Sequence, residues 1–205
     1  MHARVASFEG RDPSLADELI GTVREQVSTG RNAPPNARGF LMLVDRESGR
    51  SYGITFFDTE EHIREAEPVF ERMGEDFPEE MRGRRVSVDS YEVAFAEGDE
   101  NARAARVSLL ESPPDRIVEG ARYIEEEIVP RVRELPGQRG LISLFDRATG
   151  RSTVITLWES SEALRESEEQ ATELRQRAAE GASARIVGVE RCEVAVAQLA
   201  ALAVH

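Results

Sequence analysis

The sequence predicts an α+β protein of two successive βαββαβ units whose antiparallel sheets face each other, and three observations carry that prediction. The chain repeats itself: Gly39-Phe40-Leu41-Met42-Leu43-Val44-Asp45-Arg46-Glu47-Ser48-Gly49-Arg50-Ser51 lies over Gly140-Leu141-Ile142-Ser143-Leu144-Phe145-Asp146-Arg147-Ala148-Thr149-Gly150-Arg151-Ser152, an offset of 101 residues. Within each copy, strand-like runs and helical stripes follow in the same order. Finally, Phe40 to Val44 and Ile54 to Phe57 are largely apolar on both alternating sets, whereas a sheet with one wet face alternates apolar with polar. Both faces must therefore be covered, and the open face of one unit is the natural cover for the other.

The elements follow in order. Arg4 to Phe8 alternates weakly and reads as a strand, while Leu15, Leu19, Val23 and Val27 make the inner stripe of a helix started by Asp12-Pro13. Gly39 to Val44 and Ser51 to Phe57, separated by Asp45 to Arg50, read as a hairpin. Ile63, Ala66, Phe70, Met73 and Phe77 form the stripe of a second helix, which Pro68 should kink or split. Val86 to Phe95 closes the unit as a long strand. The second unit repeats this with Ile117, Ala121, Ile124 and Ile128 on one helix and Leu164, Ala171, Leu174 and Ala178 on the other. Near the start the register slips by one, Arg4-Val5 matching Arg106-Val107, as a small loop insertion would produce. The expected organisation is thus two tandem ferredoxin-like repeats, residues 1–98 and 103–199, joined by the acidic linker Glu97 to Asn101.

Composition narrows the function. With 26 basic and 39 acidic side chains among 205 residues, the net charge is −13, which makes nucleic acid and anionic membranes poor partners. No apolar run approaches the roughly 18 residues of a membrane span, and the first residues lack the apolar stretch of a secretory signal. A single cysteine, Cys192, forms no internal disulfide, so a cytoplasmic location is the simplest expectation. Every basic residue is arginine; the absence of lysine excludes Schiff-base chemistry and a phosphate-loop lysine.

The segment Val129-Pro130-Arg131-Val132-Arg133-Glu134-Leu135-Pro136-Gly137-Gln138-Arg139-Gly140, followed by Asp146, Gly150 and Ile155-Thr156-Leu157-Trp158-Glu159-Ser160-Ser161-Glu162-Ala163-Leu164, resembles the dimeric α+β barrel superfamily in its antibiotic-biosynthesis-monooxygenase-like branch. In that branch a proline-glycine turn enters the hairpin and a tryptophan ends the third strand. The resemblance runs over nearly the whole chain, taken twice, and implies a barrel formed within one chain, as a monomeric pseudo-dimer or a homodimer of it. It does not fix an activity, because the superfamily spans cofactor-independent monooxygenases, haem-degrading enzymes and isomerases. Haem-degrading relatives place a histidine about nine residues after the tryptophan; here that position is Ser167, and its counterpart is Ala66. No cofactor and no metal are therefore expected.

The candidate site residues are Tyr91, Thr156 and Trp158. Thr156 and Trp158 share a strand face, repeated as Thr55 and Phe57. If that face lines the barrel, it offers an aromatic ligand an indole wall and a hydroxyl; filling of the inter-sheet core is the alternative. Tyr91 and its counterpart Cys192 add a phenol and a thiol, and Glu92 and Glu193 point to the opposite face as solvating charges or buried bases. His62 with Asp58 or Glu65 is a weak metal combination, and His2 and His205 sit at the ends. Because the C-terminal half keeps both Pro136-Gly137 and Trp158, any ligand is expected there rather than near Phe57. The leading expectation is a small-molecule protein, a cofactor-independent monooxygenase for an aromatic or polyketide-like substrate held between the two sheets. The other is a non-catalytic ligand-binding or structural α+β barrel.

Overall fold

The computed structural model describes residues 1–202, so His205 lies outside the described residues. Its N-terminal half contains β1 (His2–Glu9), α1 (Ala16–Thr29), β2 (Ala37–Val44), β3 (Ser51–Phe57), α2 (Glu60–Glu75), α3 (Glu79–Arg82) and β4 (Arg84–Gly98). The C-terminal half contains β5 (Ala104–Glu111), α4 (Ile117–Tyr123), α5 (Val129–Arg133), β6 (Gln138–Phe145), β7 (Arg151–Trp158), α6 (Ser161–Glu166), α7 (Glu168–Gly181) and β8 (Arg185–Gln198). One π turn, Ile124–Ile128, joins α4 to α5.

The eight strands form a closed antiparallel barrel in the order β1-β3-β2-β8-β5-β7-β6-β4. Closure depends on the length of β4 and β8. The first part of β4 pairs with β1, but Glu92 to Gly98 pairs with β6; Glu193 to Gln198 of β8 pairs likewise with β2. The halves therefore share backbone hydrogen bonds as well as a core, which satisfies strand edges that would otherwise remain open. Ala3, Val5, Leu41, Leu43, Ile54, Phe56, Val107, Ile142, Leu144, Ile155, Leu157 and Val194 fill the barrel interior. The opposite strand faces carry the helices, with Met42, Val44, Ala195 and Val196 against Leu19 and Ile20, and Leu141 against Ile124, Ile128 and Val132. No helix among the described residues is long and apolar enough to cross a membrane.

Charged side chains exchange across the same seams. The turn residue Arg46 donates to Glu193 on β8 at 2.5 Å and to Asp17 at 2.8 Å, and Arg147 donates to Glu92 on β4. Glu92 and Glu193 are thus partly exposed ion-pair partners. Each hairpin turn is organised by its aspartate: Asp45 accepts from the backbone of Glu47 and Ser48, and Asp146 from that of Ala148.

One expected break does not occur. Pro68 lies inside α2, which runs continuously from Glu60 to Glu75, because the proline sits on the exposed side where water can serve the carbonyl it leaves without a partner. The second helix of the C-terminal half is instead divided, at Ser167, although no proline stands there. Phe77, read as part of the α2 stripe, lies just beyond the helix and packs on Leu19 and Ile20.

Residues 1–98 expressed alone would expose the barrel interior and leave one edge of β2 and the end of β4 unpaired. The expected product is self-associated or aggregated on size-exclusion chromatography with light scattering. A soluble monomeric half would contradict this account of the core.

Candidate functional site

The three sequence-nominated residues do not converge. Along β7, Leu157 and Ile155 enter the barrel, so Trp158, Thr156 and Val154 face the helices. Trp158 is fully buried against Ala104 and Leu164, and its indole N–H donates to Thr156 Oγ1 at 3.0 Å. Its N–H is therefore already engaged, and the pair does not line the inter-sheet space. Tyr91 belongs to the barrel interior, on the other face of the sheet. There it borders a cavity of about 200 Å³ with Tyr52, Asp89, Arg151 and Thr153 at one end of an otherwise packed core. Burial raises its phenol pKa, with Asp89 adding to the shift. Cys192 is buried in the same core, and its thiol is pushed up to about 12 by burial, so it is not an activated nucleophile.

A wide helix-to-sheet opening lies in the N-terminal half. A cleft of about 630 Å³ runs between β1, β2, β3 and the helices, with Phe8, Phe40, Phe70, Phe77, Met42 and Met73 supplying apolar walls. Arg4, in the middle of β1, lies on its floor at 3 % exposure. Glu67 on α2 accepts from Arg4 Nε at 2.9 Å and Nη2 at 2.7 Å, and the guanidinium lies 4.0 Å from the centre of the Phe70 ring. The bonds from Arg4 hold the Glu67 carboxyl below its ordinary value. Thr55 is buried beside this pair, while Arg84 and Arg85 stand exposed at the rim. An arginine floor under aromatic walls, its charge paired with Glu67 and supplemented at the rim by Arg84 and Arg85, suits an aromatic anion.

The corresponding space in the C-terminal half has shrunk to about 50 Å³. Small residues account for much of the difference: Ala6, Gly53 and Gly74 line the N-terminal cleft where Ser108, Val154 and Arg175 line the smaller one. A Cβ on Gly53 would meet only the Phe40 ring at 3.9 Å, and one on Gly74 would meet nothing within 4 Å. The sequence expectation of a ligand beside Trp158 therefore does not match the available volume, because the bulkier side chains occupy that side.

Arg106 takes the place of Arg4 and donates from Nη2 to the Leu164 carbonyl, Ser167 Oγ and Glu168 Oε2. Burial pulls its pKa below the ordinary guanidinium value, against the hydrogen bond it donates to Glu168. Ser167 is thus committed to Arg106 and Leu164, and Ala66 is buried against Phe57 and Ile63; neither offers iron a ligand. Asp58 and Glu65, the metal partners considered for His62, engage Arg38 and Asn36 instead. Among the described residues no group of three His, Cys, Asp or Glu side chains is placed to hold a metal.

The buried arginines of the two first strands escaped the sequence reading, where Arg4 and Arg106 served only to locate a register slip. Their signal was available: an arginine inside each apolar first strand, with Glu67 and Glu168 recurring on the second helices.

No family model matches the chain. Two uncharacterized proteins of Mycobacterium tuberculosis are similar to it: Rv2557, 24% identical over 85% of this chain and 79% of its own length, and Rv2558, 24% identical over 97% and 85%. Among solved structures, a candidate monooxygenase from Fusobacterium nucleatum superposes with a TM-score of 0.67 at 14% identity, covering 96% of this chain and 92% of that one. An anthrone oxidase-like protein gives 0.65 at 13% identity, covering 96% and 91%. A candidate monooxygenase from Lactobacillus acidophilus gives 0.60 at 10% identity, covering 94% and 92%. These likenesses show the fold, an α+β barrel of eight antiparallel strands closed within a single polypeptide.

Proposed function

We propose that the protein binds an aromatic, phenol- or enol-bearing small molecule as its anion in the N-terminal helix-to-sheet cleft. We further propose that it acts as a cofactor-independent monooxygenase on that ligand. The observation that carries this reading is the buried Arg4 at the floor of an aromatic-walled cleft of about 630 Å³, a volume suited to a two- or three-ring compound. The proposed location is the cleft rather than the space between the sheets, whose middle is packed with side chains.

In such a reaction the ligand loses a proton and its carbanion-like ring carbon supplies electrons to dioxygen. A CH2 group becomes C=O, and the second oxygen atom leaves as water. The chain's part is to hold the ring between Phe40 and Phe70, keep bulk water from it, and stabilise the anion through Arg4 and the Thr55 hydroxyl. No histidine or cysteine lines the cleft, and this favours a second reading in which the site binds the same anion without chemistry.

Binding of 1-hydroxy-2-naphthoate, followed by its own fluorescence, tests the site, and an oxygen electrode with anthrone as substrate tests the reaction. Saturable binding is expected, weakened at least about tenfold (about 1.4 kcal/mol) by Gly53→Val, which fills the cleft, and by Arg4→Gln. One dioxygen should be consumed per quinone formed. Binding that survives Gly53→Val would place the site elsewhere, and binding without oxygen uptake would select the non-catalytic reading.

A further inference from the structure

We propose that the small cavity beneath α7 in the C-terminal half is a binding site for a small monovalent inorganic anion, of the size of a halide or nitrate, held by Arg106 and Arg175. The cavity of about 50 Å³ is lined by Arg106 and Arg175 together with Ser108, Thr156, Trp158 and, for the rest, apolar side chains such as Ile124, Ala171 and Leu174. Arg106 is 2 % exposed, and although its Nη2 has three acceptors, its Nε and Nη1 are buried with none. Arg175 Nη1 is buried without an acceptor as well, its Nη2 being engaged by Thr172.

The charge count points the same way. Glu168 is the carboxylate that serves Arg106 at 3.0 Å and Arg175 at 3.6 Å, and it also takes Arg191 at 2.8 Å. No carboxylate lines the cavity itself. Three guanidinium groups therefore share one acid, and two of them carry buried N–H groups without an acceptor. Water would accept those hydrogen bonds but leave the charge uncompensated, whereas an anion meets both demands. Thr156 Oγ1 already accepts from the indole, which leaves its hydroxyl hydrogen to donate. A volume worth a few water molecules excludes aromatic ligands.

The N-terminal half provides the contrast. There Arg4 is satisfied two-fold by Glu67, and Gly74 stands 101 positions before Arg175, so no guanidinium occupies the position of Arg175. The inference concerns a different cavity from the cleft proposed for the aromatic ligand and stands without it.

Trp158 reports on the cavity directly. It is the only tryptophan and is fully buried, so collisional quenching from bulk solvent is minimal, but a bromide seated beside the indole quenches by its heavy atom. The experiment titrates potassium bromide against potassium gluconate at constant ionic strength, and follows both fluorescence and the thermal midpoint. Saturable quenching and a saturable rise in midpoint are expected with bromide. Nitrate should raise the midpoint likewise, while gluconate, too large for the cavity, should do neither. Both effects should fall at least about tenfold in apparent affinity in Arg175→Gln and disappear in Ala171→Leu, which fills the cavity. Quenching that rises linearly without saturating, or that persists unchanged in both variants, would overturn the proposal. Should Ala171→Leu fail to fold, anomalous diffraction from bromide-soaked crystals of the unaltered protein decides: a peak between Arg106 and Arg175 supports the site, and water density alone refutes it.

Discussion

Trp158→Ala is expected to destabilise the protein by about 3–5 kcal/mol in urea unfolding followed by circular dichroism. The indole has no exposed surface and wedges between β5, β7 and α6, where Ala104 and Leu164 cannot collapse to refill the space. Its removal also takes away the donor to Thr156 Oγ1 and the ring facing the Arg106 guanidinium at 5.4 Å. Trp158→Phe, which installs the side chain found at position 57, should cost less, about 1–3 kcal/mol. Neither substitution should shift naphthoate affinity in the N-terminal cleft by more than about twofold, because sites this independent add without coupling. A stability loss below about 1 kcal/mol in Trp158→Ala would show that the C-terminal layer repacks freely. A large loss of naphthoate affinity in Trp158→Phe would return the ligand to this tryptophan.

Why the tryptophan drew attention as a ligand wall, and Arg4 did not, follows from what a strand displays locally. Alternation along β7 groups Thr156 with Trp158, but the two residue sets of that strand are equally apolar, so nothing in the segment distinguishes the barrel face from the helix face. That choice is made by the helices, whose stripes of Ile124, Ile128, Val132 and Leu174 cover the Trp158 side. The hairpins and closure within one chain were legible because the repeated segments and the doubly apolar strands have few other packings, whereas the pairing of β4 with β6 and of β8 with β2 was not. Cavity volume was not. It depends on pairs of residues far apart in sequence, Gly53 and Gly74 against Val154 and Arg175, whose sizes matter only once α2 and α7 lie over their sheets. The buried ion pairs were hidden for the same reason, since Arg4 and Glu67 are 63 residues apart and meet only after α2 docks on β1.

That pairing makes the acid limb of stability specific. Glu67 has its pKa lowered chiefly by hydrogen bonds from Arg4; Glu168, although burial raises it, is lowered on balance by bonds from Arg191 and Arg106. A carboxyl held low in the folded state contributes stability that is complete above its unfolded value, near pH 4.3, and is lost as the pH falls through the folded value. The arginines stay charged throughout this range. Glu67→Gln should therefore reduce stability at pH 7 by about 1–3 kcal/mol. This lies below the cost of breaking a fully buried pair, because Glu67 is 37% exposed whereas Arg4 is 4% exposed. Urea midpoints measured from pH 7 to pH 2.5 should show the gap between wild type and Glu67→Gln narrowing below about pH 4, as protonation removes from the wild type the charge the variant never had. A gap that stays constant across that range would mean the carboxylate charge is not what stabilises the pair. Hydrogen bonding and packing of the Glu67 side chain independent of its charge would then account for the whole effect.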